Sequence, residues 1–322
     1  MTEPTPPSWE RATLERIALR ALDEQRRARQ WSILIRLLWL TLLFLIVAAA
    51  LGWIGGSSRE PIRTGRHTAL VELRGVIGLE SRASAERMIA ALDSAFKDKH
   101  TQGVVLRINS PGGSPVQSGY INDEIRRLRA KYPEIPLYVV VQDLCASGGY
   151  YVAVAADRIY VDKASLVGSI GVIMSGFGFT GTMEKLGVER RAYAAGENKD
   201  FLDPFAPENP VHKEHAKKML DEIHQQFIKV VRDGRGKRLK ESPEIFSGLV
   251  WTGQRAVELG LADGYGSLES VARDVIKAEN VVDFTPDENY LELFSKRLGA
   301  GAAESAVRAL SELAARGSTA LR

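Results

Sequence analysis

Two stretches decide how this chain folds: GVVLRINSPGGS (residues 103–114) and LYVVVQDLCASGGYY (residues 137–151). In each, an apolar run of strand length ends in small, turn-forming residues, and a helical pattern follows. Gly103–Ile108 and Leu137–Val141 therefore read as strands, and 115–131 and 147–156 as the helices after them. The same alternation extends outward from about Thr68. Ala69–Leu73 is a short strand, and Ser84–Phe96 carries Met88, Ile89, Leu92 and Phe96 at helical spacing. Ile159–Val161, Val172–Phe179 and Val188–Ala194 read as further strands, 209–233 as one long helix, and the rest, with Trp251–Glu258 and Leu268–Lys277, as mostly helical. Strands and helices in alternation predict an α/β domain with a largely parallel sheet over 68–285.

Upstream lies the most apolar segment, Trp31–Ile54, where Thr41 is the one polar residue between Leu37 and Leu51. Its 24 residues suffice to cross a hydrocarbon core of about 30 Å. Trp31 and Trp53 mark its two ends, and Arg36 can snorkel to the headgroups. The polar residues before it predict an uncleaved signal anchor rather than a cleaved signal. Five arginines precede the span closely (Arg16, Arg20, Arg26, Arg27, Arg29) and three follow it (Arg59, Arg63, Arg66). That bias predicts a single pass through the cytoplasmic membrane, with the N-terminus in the cytoplasm and the bulk of the chain on the outer, periplasmic side. The expected organisation is a polar segment (1–30), the anchor (31–54), a linker (55–67), the α/β domain (68–285) and a helical or flexible tail (286–322).

Composition narrows the function. A net charge of +3 in 322 residues gives no ground for a nucleic-acid partner. The lone cysteine, Cys145, rules out an intramolecular disulfide framework and reads as a small buried hydrophobe. No zinc-type Cys/His cluster is present, and no cofactor is expected. His212, His215 and His224 stand among lysines and read as a solvated helix face. The run Lys229–Lys240 reads as a solvated helix end.

Three sites can carry chemistry. Ser147 falls at the start of a helix, where free N–H groups and the helix dipole suit a developing oxyanion. Local sequence equally admits a helix-capping serine there. The Asn109–Ser114 turn offers the Gly113 N–H as a second donor, or is an ordinary strand-to-helix turn. Lys199 lies in a loop beside Phe201, Leu202 and Phe205. A lysine serves as a base only when desolvated, since its free pKa is about 10.4. Asp200 opposes that role if it lies close.

Taken together, Asn109–Ser114, Ala146–Tyr151, Gly168–Val172 and the loop carrying Lys199 resemble, in the same order, the signal peptide peptidase A family of serine–lysine peptidases. The resemblance runs from about Val71 to about Lys277. It implies a ClpP/crotonase-like fold of repeated ββα units and hydrolysis of peptide bonds. By resemblance, Ser147 is the nucleophile and Lys199 the general base. The N–H groups of Gly113 and Gly148 are the oxyanion donors, and Ser169 orients the lysine. It further implies signal peptides as substrates, the lipid bilayer as a partner, and a homo-oligomeric ring whose sites can join Ser and Lys of neighbouring protomers. Two other readings stay open: an acyl-CoA hydratase or thioesterase on the same fold, and an inactive membrane scaffold.

Overall fold

The computed structural model describes residues 9–50 and 65–286. They belong to two compact units. One contains α1 (Trp9–Ala50), a single continuous helix. Within it, Gln25–Leu45 is long and apolar enough to cross a membrane. Trp31, Leu34, Leu38 and Trp39 on this stretch are exposed. Residues of the polar segment and of the apolar span thus share one helix; Trp53 and Ile54 fall outside the described residues, as does the tail from 287.

The other unit is built on an eight-stranded sheet. Its strands are β1 (His67–Arg74), β2 (Thr101–Ser110), β3 (Leu137–Ala146), β4 (Arg158–Val161), β5 (Leu166–Gly168), β6 (Val250–Thr252), β7 (Gly264–Tyr265) and β8 (Val281–Asp283). The main path runs β6-β5-β3-β2-β1-β8, and every pairing is parallel except β5 with β6. The α/β class with a largely parallel sheet is as expected.

The connections are helical: α2 (Ala85–Lys97) between β1 and β2, α3 (Pro115–Lys131) between β2 and β3, and α4 (Gly148–Ala153) directly after β3. Helix α2 buries Met88, Ala91, Leu92, Ala95 and Phe96 at spacings of three and four, the period of one helix face. They meet strand residues Val71, Leu73, Leu106, Ile108 and Val139 in one cluster with Ile121, Ile125 and Leu128 of α3. Each fully buried Val, Leu or Ile contributes about 1.5–3 kcal/mol relative to exposure. Helix α3 starts where Ser114 caps it, its side chain accepting from Gln117 N at 3.4 Å, and Pro115 occupies the first turn without wasting a donor.

What places the site is the branching of β3. Its first half (Tyr138–Val140) pairs with β4, and its last three residues (Leu144–Ala146) pair with β5. Ala146 is thereby set opposite Gly168, so the residue after it emerges beside the β5 terminus.

Two sequence expectations fail. Val172–Phe179 and Val188–Ala194 form no strand; between them lies the short helix α5 (Thr180–Leu186). Their β-branched and aromatic residues find no sheet to join, and Ile173 and Tyr193 stand 85% and 95% exposed. Likewise the C-terminal part is less helical than its pattern suggests. It contributes β6, β7 and β8 as well as α6 (Pro210–Arg235), α7 (Gly253–Glu258) and α8 (Leu268–Ser270), which continues as a π-helical turn to Ile276.

Candidate active site

Ser147 is the hinge between β3 and α4. It holds φ 51° and ψ −123°, a left-handed conformation that is costly for a non-glycine residue. Two backbone bonds fix it: its N–H donates to Gly168 O at 2.8 Å, and its carbonyl accepts from Tyr151 N at 2.9 Å. Tyr150 anchors α4 from beneath. It is fully buried, its hydroxyl donates to Leu261 O at 2.8 Å, and burial pushes its ionisation upward. Cys145 is buried as expected, and burial pushes its thiol up as well, away from the reactive thiolate.

The turn after β2 lies against this hinge. Ile77 donates to Gly112 O at 2.8 Å and accepts from Ser114 N at 2.9 Å, forming a parallel bridge with Gly113. Neither bond uses the Gly113 N–H. The approach to Ser147 is too close for side chains: a Cβ on Gly112 would stand 2.5 Å from Gly148 N and 2.7 Å from Ser147 Cβ. A Cβ on Gly148 would stand 3.2 Å from Gly113 N and 2.4 Å from Ser118 Oγ. Gly113 N, Gly148 N and Ser147 are therefore neighbours, and both amides lie outside the hydrogen bonds formed among the described residues. Two amide donors beside a serine are the groups an oxyanion site would use.

Ser110 and Ser118 were not singled out by sequence reasoning. The buried Ser110 hydroxyl donates to Gly75 O at 2.6 Å and accepts from Gly112 N at 3.1 Å, bracing the turn. Ser118 donates to Ser114 O at 2.9 Å from the first turn of α3. Their only signal was a serine inside or just beyond a glycine turn.

Ser169 follows β5, also left-handed at φ 52°, with its N–H on Leu249 O at 2.8 Å. Lys199 sits in the exposed loop between α5 and α6 and lines a cavity of about 460 Å³ with Arg190, Arg191, Tyr193, Asp200 and Phe201. Ser147 does not line that cavity. Asp200 shares its wall with Lys199, and no ion pair to Lys199 forms among the described residues. Asp203 in the same wall pairs with Arg190 at 3.1 Å; the Phe205 N–H, and then Arg190, hold its carboxyl below the usual range. The structure thus brings Ser147, Gly113 and Gly148 together and sets Ser169 beside them through Gly168, while Lys199 lines a cavity that Ser147 does not.

The histidines are a correction. His212 is buried, bonded to Asn198 Oδ1 at 3.1 Å, and His224 reaches Ile170 O at 3.1 Å. Asn198 and Ile170 take these two rings out of the solvated face, while His215 is exposed as expected. The basic run is a solvated helix end at Lys229, Arg232, Lys237 and Lys240, but Arg235 within it is 1% exposed and paired with Asp263 at 2.8 Å.

The family model described as Peptidase family S49 matches residues 129–282. A protease-like protein of Methanocaldococcus jannaschii is 34% identical over 215 residues, 65% of this chain and 68% of that protein. A Brucella melitensis biotype 1 protein named Na(+)/H(+) antiporter NhaA is 46% identical over 206 residues, 64% of this chain. The chain spans only 27% of that relative's length. Among solved structures, a mutant ClpP1 from Listeria monocytogenes is similar with a TM-score of 0.39 and 16% identity, over 62% of this chain and 91% of that one.

Proposed function

Because the chain belongs to peptidase family S49, the family of signal peptide peptidase A, we propose that it is a membrane-anchored serine endopeptidase working through Ser147 and Lys199. Ser147 Oγ attacks a peptide carbonyl carbon, and its proton passes to the Lys199 amine. The oxyanion is received by the N–H groups of Gly113 and Gly148. Collapse breaks the C–N bond, and the leaving amine takes the proton from Lys199. Water, losing a proton to the same amine, then attacks the acyl-enzyme ester and returns Ser147. Ser169 orients the lysine. No metal or cofactor takes part in this scheme.

The substrates are signal peptides or other membrane-released peptides. Helix α1 crosses the cytoplasmic membrane once, with the domain on the outer side. The arginine excess before the span supports this orientation, and a reporter fused after residue 322 should be active only outside the cytoplasm. Neighbouring protomers assemble into a ring that joins Ser147 of one to Lys199 of the next.

The observation that carries the reading is Ser147 itself: a strained serine at a helix start, beside the Gly113 and Gly148 amides, which form no hydrogen bond among the described residues. Ser147→Ala should abolish cleavage of casein or a signal peptide while leaving the circular dichroism spectrum unchanged. Near-parental turnover by that variant would overturn the assignment.

A further inference from the structure

The long helix α6 is fixed to the core by Phe227, Ile228, Val231 and Arg235 in its C-terminal half. Its N-terminal half holds something else. His212 is 7% exposed, with Nε2 3.1 Å from Asn198 Oδ1. An amide oxygen only accepts, so the proton is on Nε2 and histidine is the donor. Three residues on, Phe201 stands edge-on to two imidazoles, with ring centroids 5.4 Å from His212 and 5.6 Å from His215. Asn198 and Phe201 are the residues on either side of Lys199 and Asp200. Between them the chain is tightly turned, with Lys199 N on Gly196 O at 3.1 Å and Phe201 N on Asn198 O at 3.2 Å. The same helix reaches the other side of the site: His224 Nε2 donates to Ile170 O, next to Ser169.

We infer that His212 and His215 form a clasp that fixes the Lys199 turn on α6, making them positioning residues for the reaction. The inference rests on the reading of Lys199 as proton acceptor. The surrounding segment is otherwise weakly held, with Ile173, Phe177, Leu186 and Tyr193 exposed. A lysine on such a segment would sample many positions, and misplacement of a catalytic group by about 1 Å can cost about a hundredfold in rate. The clasp removes that freedom at the two residues that bracket the amine's backbone.

The test compares His212→Leu, His212→Gln and Asn198→Ala in the full chain, using a fluorogenic peptide substrate. His212→Leu keeps bulk and loses the donor; His212→Gln keeps a donor for Asn198 Oδ1. Asn198→Ala removes the same bond from the loop side, where the core is untouched. His212→Leu and Asn198→Ala should each lower kcat about tenfold with KM within about twofold. In both variants the amides of residues 198–201 should exchange hydrogen faster. His212→Gln should recover most of kcat, and adding Asn198→Ala to His212→Leu should cost little more, because one bond is broken twice. Parental kcat in Asn198→Ala, or additive losses in the double variant, would overturn the clasp. Lys199→Arg serves as the separate control. Parental turnover there would remove the proton-acceptor reading, while exchange at 198–201 would still decide whether the clasp holds the turn.

Discussion

At the scale of single residues, the site is defined by what its glycines exclude. Gly112 holds φ +97°, where an L side chain is strained, and a Cβ there would collide with Gly148 N at 2.5 Å. That contact is backbone on both sides, so no rotamer change relieves it. Gly112→Ala should therefore destabilise the domain by about 2–3 kcal/mol and take activity with it, since the two oxyanion amides must separate. Gly119, one turn into α3, is the contrast: nothing lies within 4 Å of its would-be Cβ and its φ is ordinary. Gly119→Ala should raise stability by about 0.5–1 kcal/mol through helix propensity, with turnover unchanged. Urea midpoints of the two variants read both effects. Equal responses would mean that the close approach at Gly112 does not exist in solution.

At the scale of elements, α4 and the end of α6 are tied together through Asp263. The Arg235 guanidinium donates to both Asp263 oxygens, at 2.8 and 2.9 Å, and to Gly260 O at 2.8 Å. Two residues before Asp263, Leu261 O receives the Tyr150 hydroxyl. Burial works to raise the Asp263 pKa, but Arg235, the Ile159 N–H and Arg238 outweigh it and hold the carboxyl below its ordinary value. A depressed carboxyl contributes stability above its unfolded pKa of about 3.9 and loses it as pH falls through the lower folded value. Asp263→Asn leaves Arg235 buried without a counter-charge and should cost about 3–5 kcal/mol at pH 7. Its deficit against the parent should shrink only below about pH 4, which denaturant melts from pH 7 to 3 would show. A deficit that stays constant to pH 3 would contradict the pairing. Such ties are also what the sequence could not display. The helices 85–97 and 115–131 and the strands around Val104 and Val139 were legible because burial leaves a period of its own. The glycine turn after β2 pointed to Gly113 for the same local reason, whereas Gly148 entered as a donor through the family resemblance. His212 and Arg235 were misread because their burial depends on partners 14 and 28 residues away in sequence, and a histidine among lysines has the pattern of a surface. The apolar runs 172–179 and 188–194 misled in the opposite direction. Their composition suits a strand, but no edge of this sheet receives them.

At the scale of the whole molecule, those same runs bear on how a complete site is made. Within one chain, Ser147 and its two amides form one cluster, and Lys199 lines a different cavity on an exposed segment. Ile173, Phe177, Leu186 and Tyr193 on that segment are largely exposed. Both facts have one explanation if the segment lies on a neighbouring protomer and delivers Lys199 to that protomer's Ser147. Co-expression of Ser147→Ala and Lys199→Ala chains decides this. In a closed heterologous ring with random mixing, each interface would join an intact serine to an intact lysine in about one case in four. Mixed rings should then regain about a quarter of parental activity, although each variant alone is inactive. If the two groups meet within a chain, every chain in the mixture lacks one of them and activity stays at the level of the single variants. Co-expression is the safer arrangement, because purified rings need not exchange subunits, and two affinity tags verify that both chains are present in the same assembly. Absence of rescue in doubly tagged rings would place the pairing inside one protomer. The exposed segment would then have to fold back toward β5, and Ile173 and Phe177 would become protected from solvent without any partner chain.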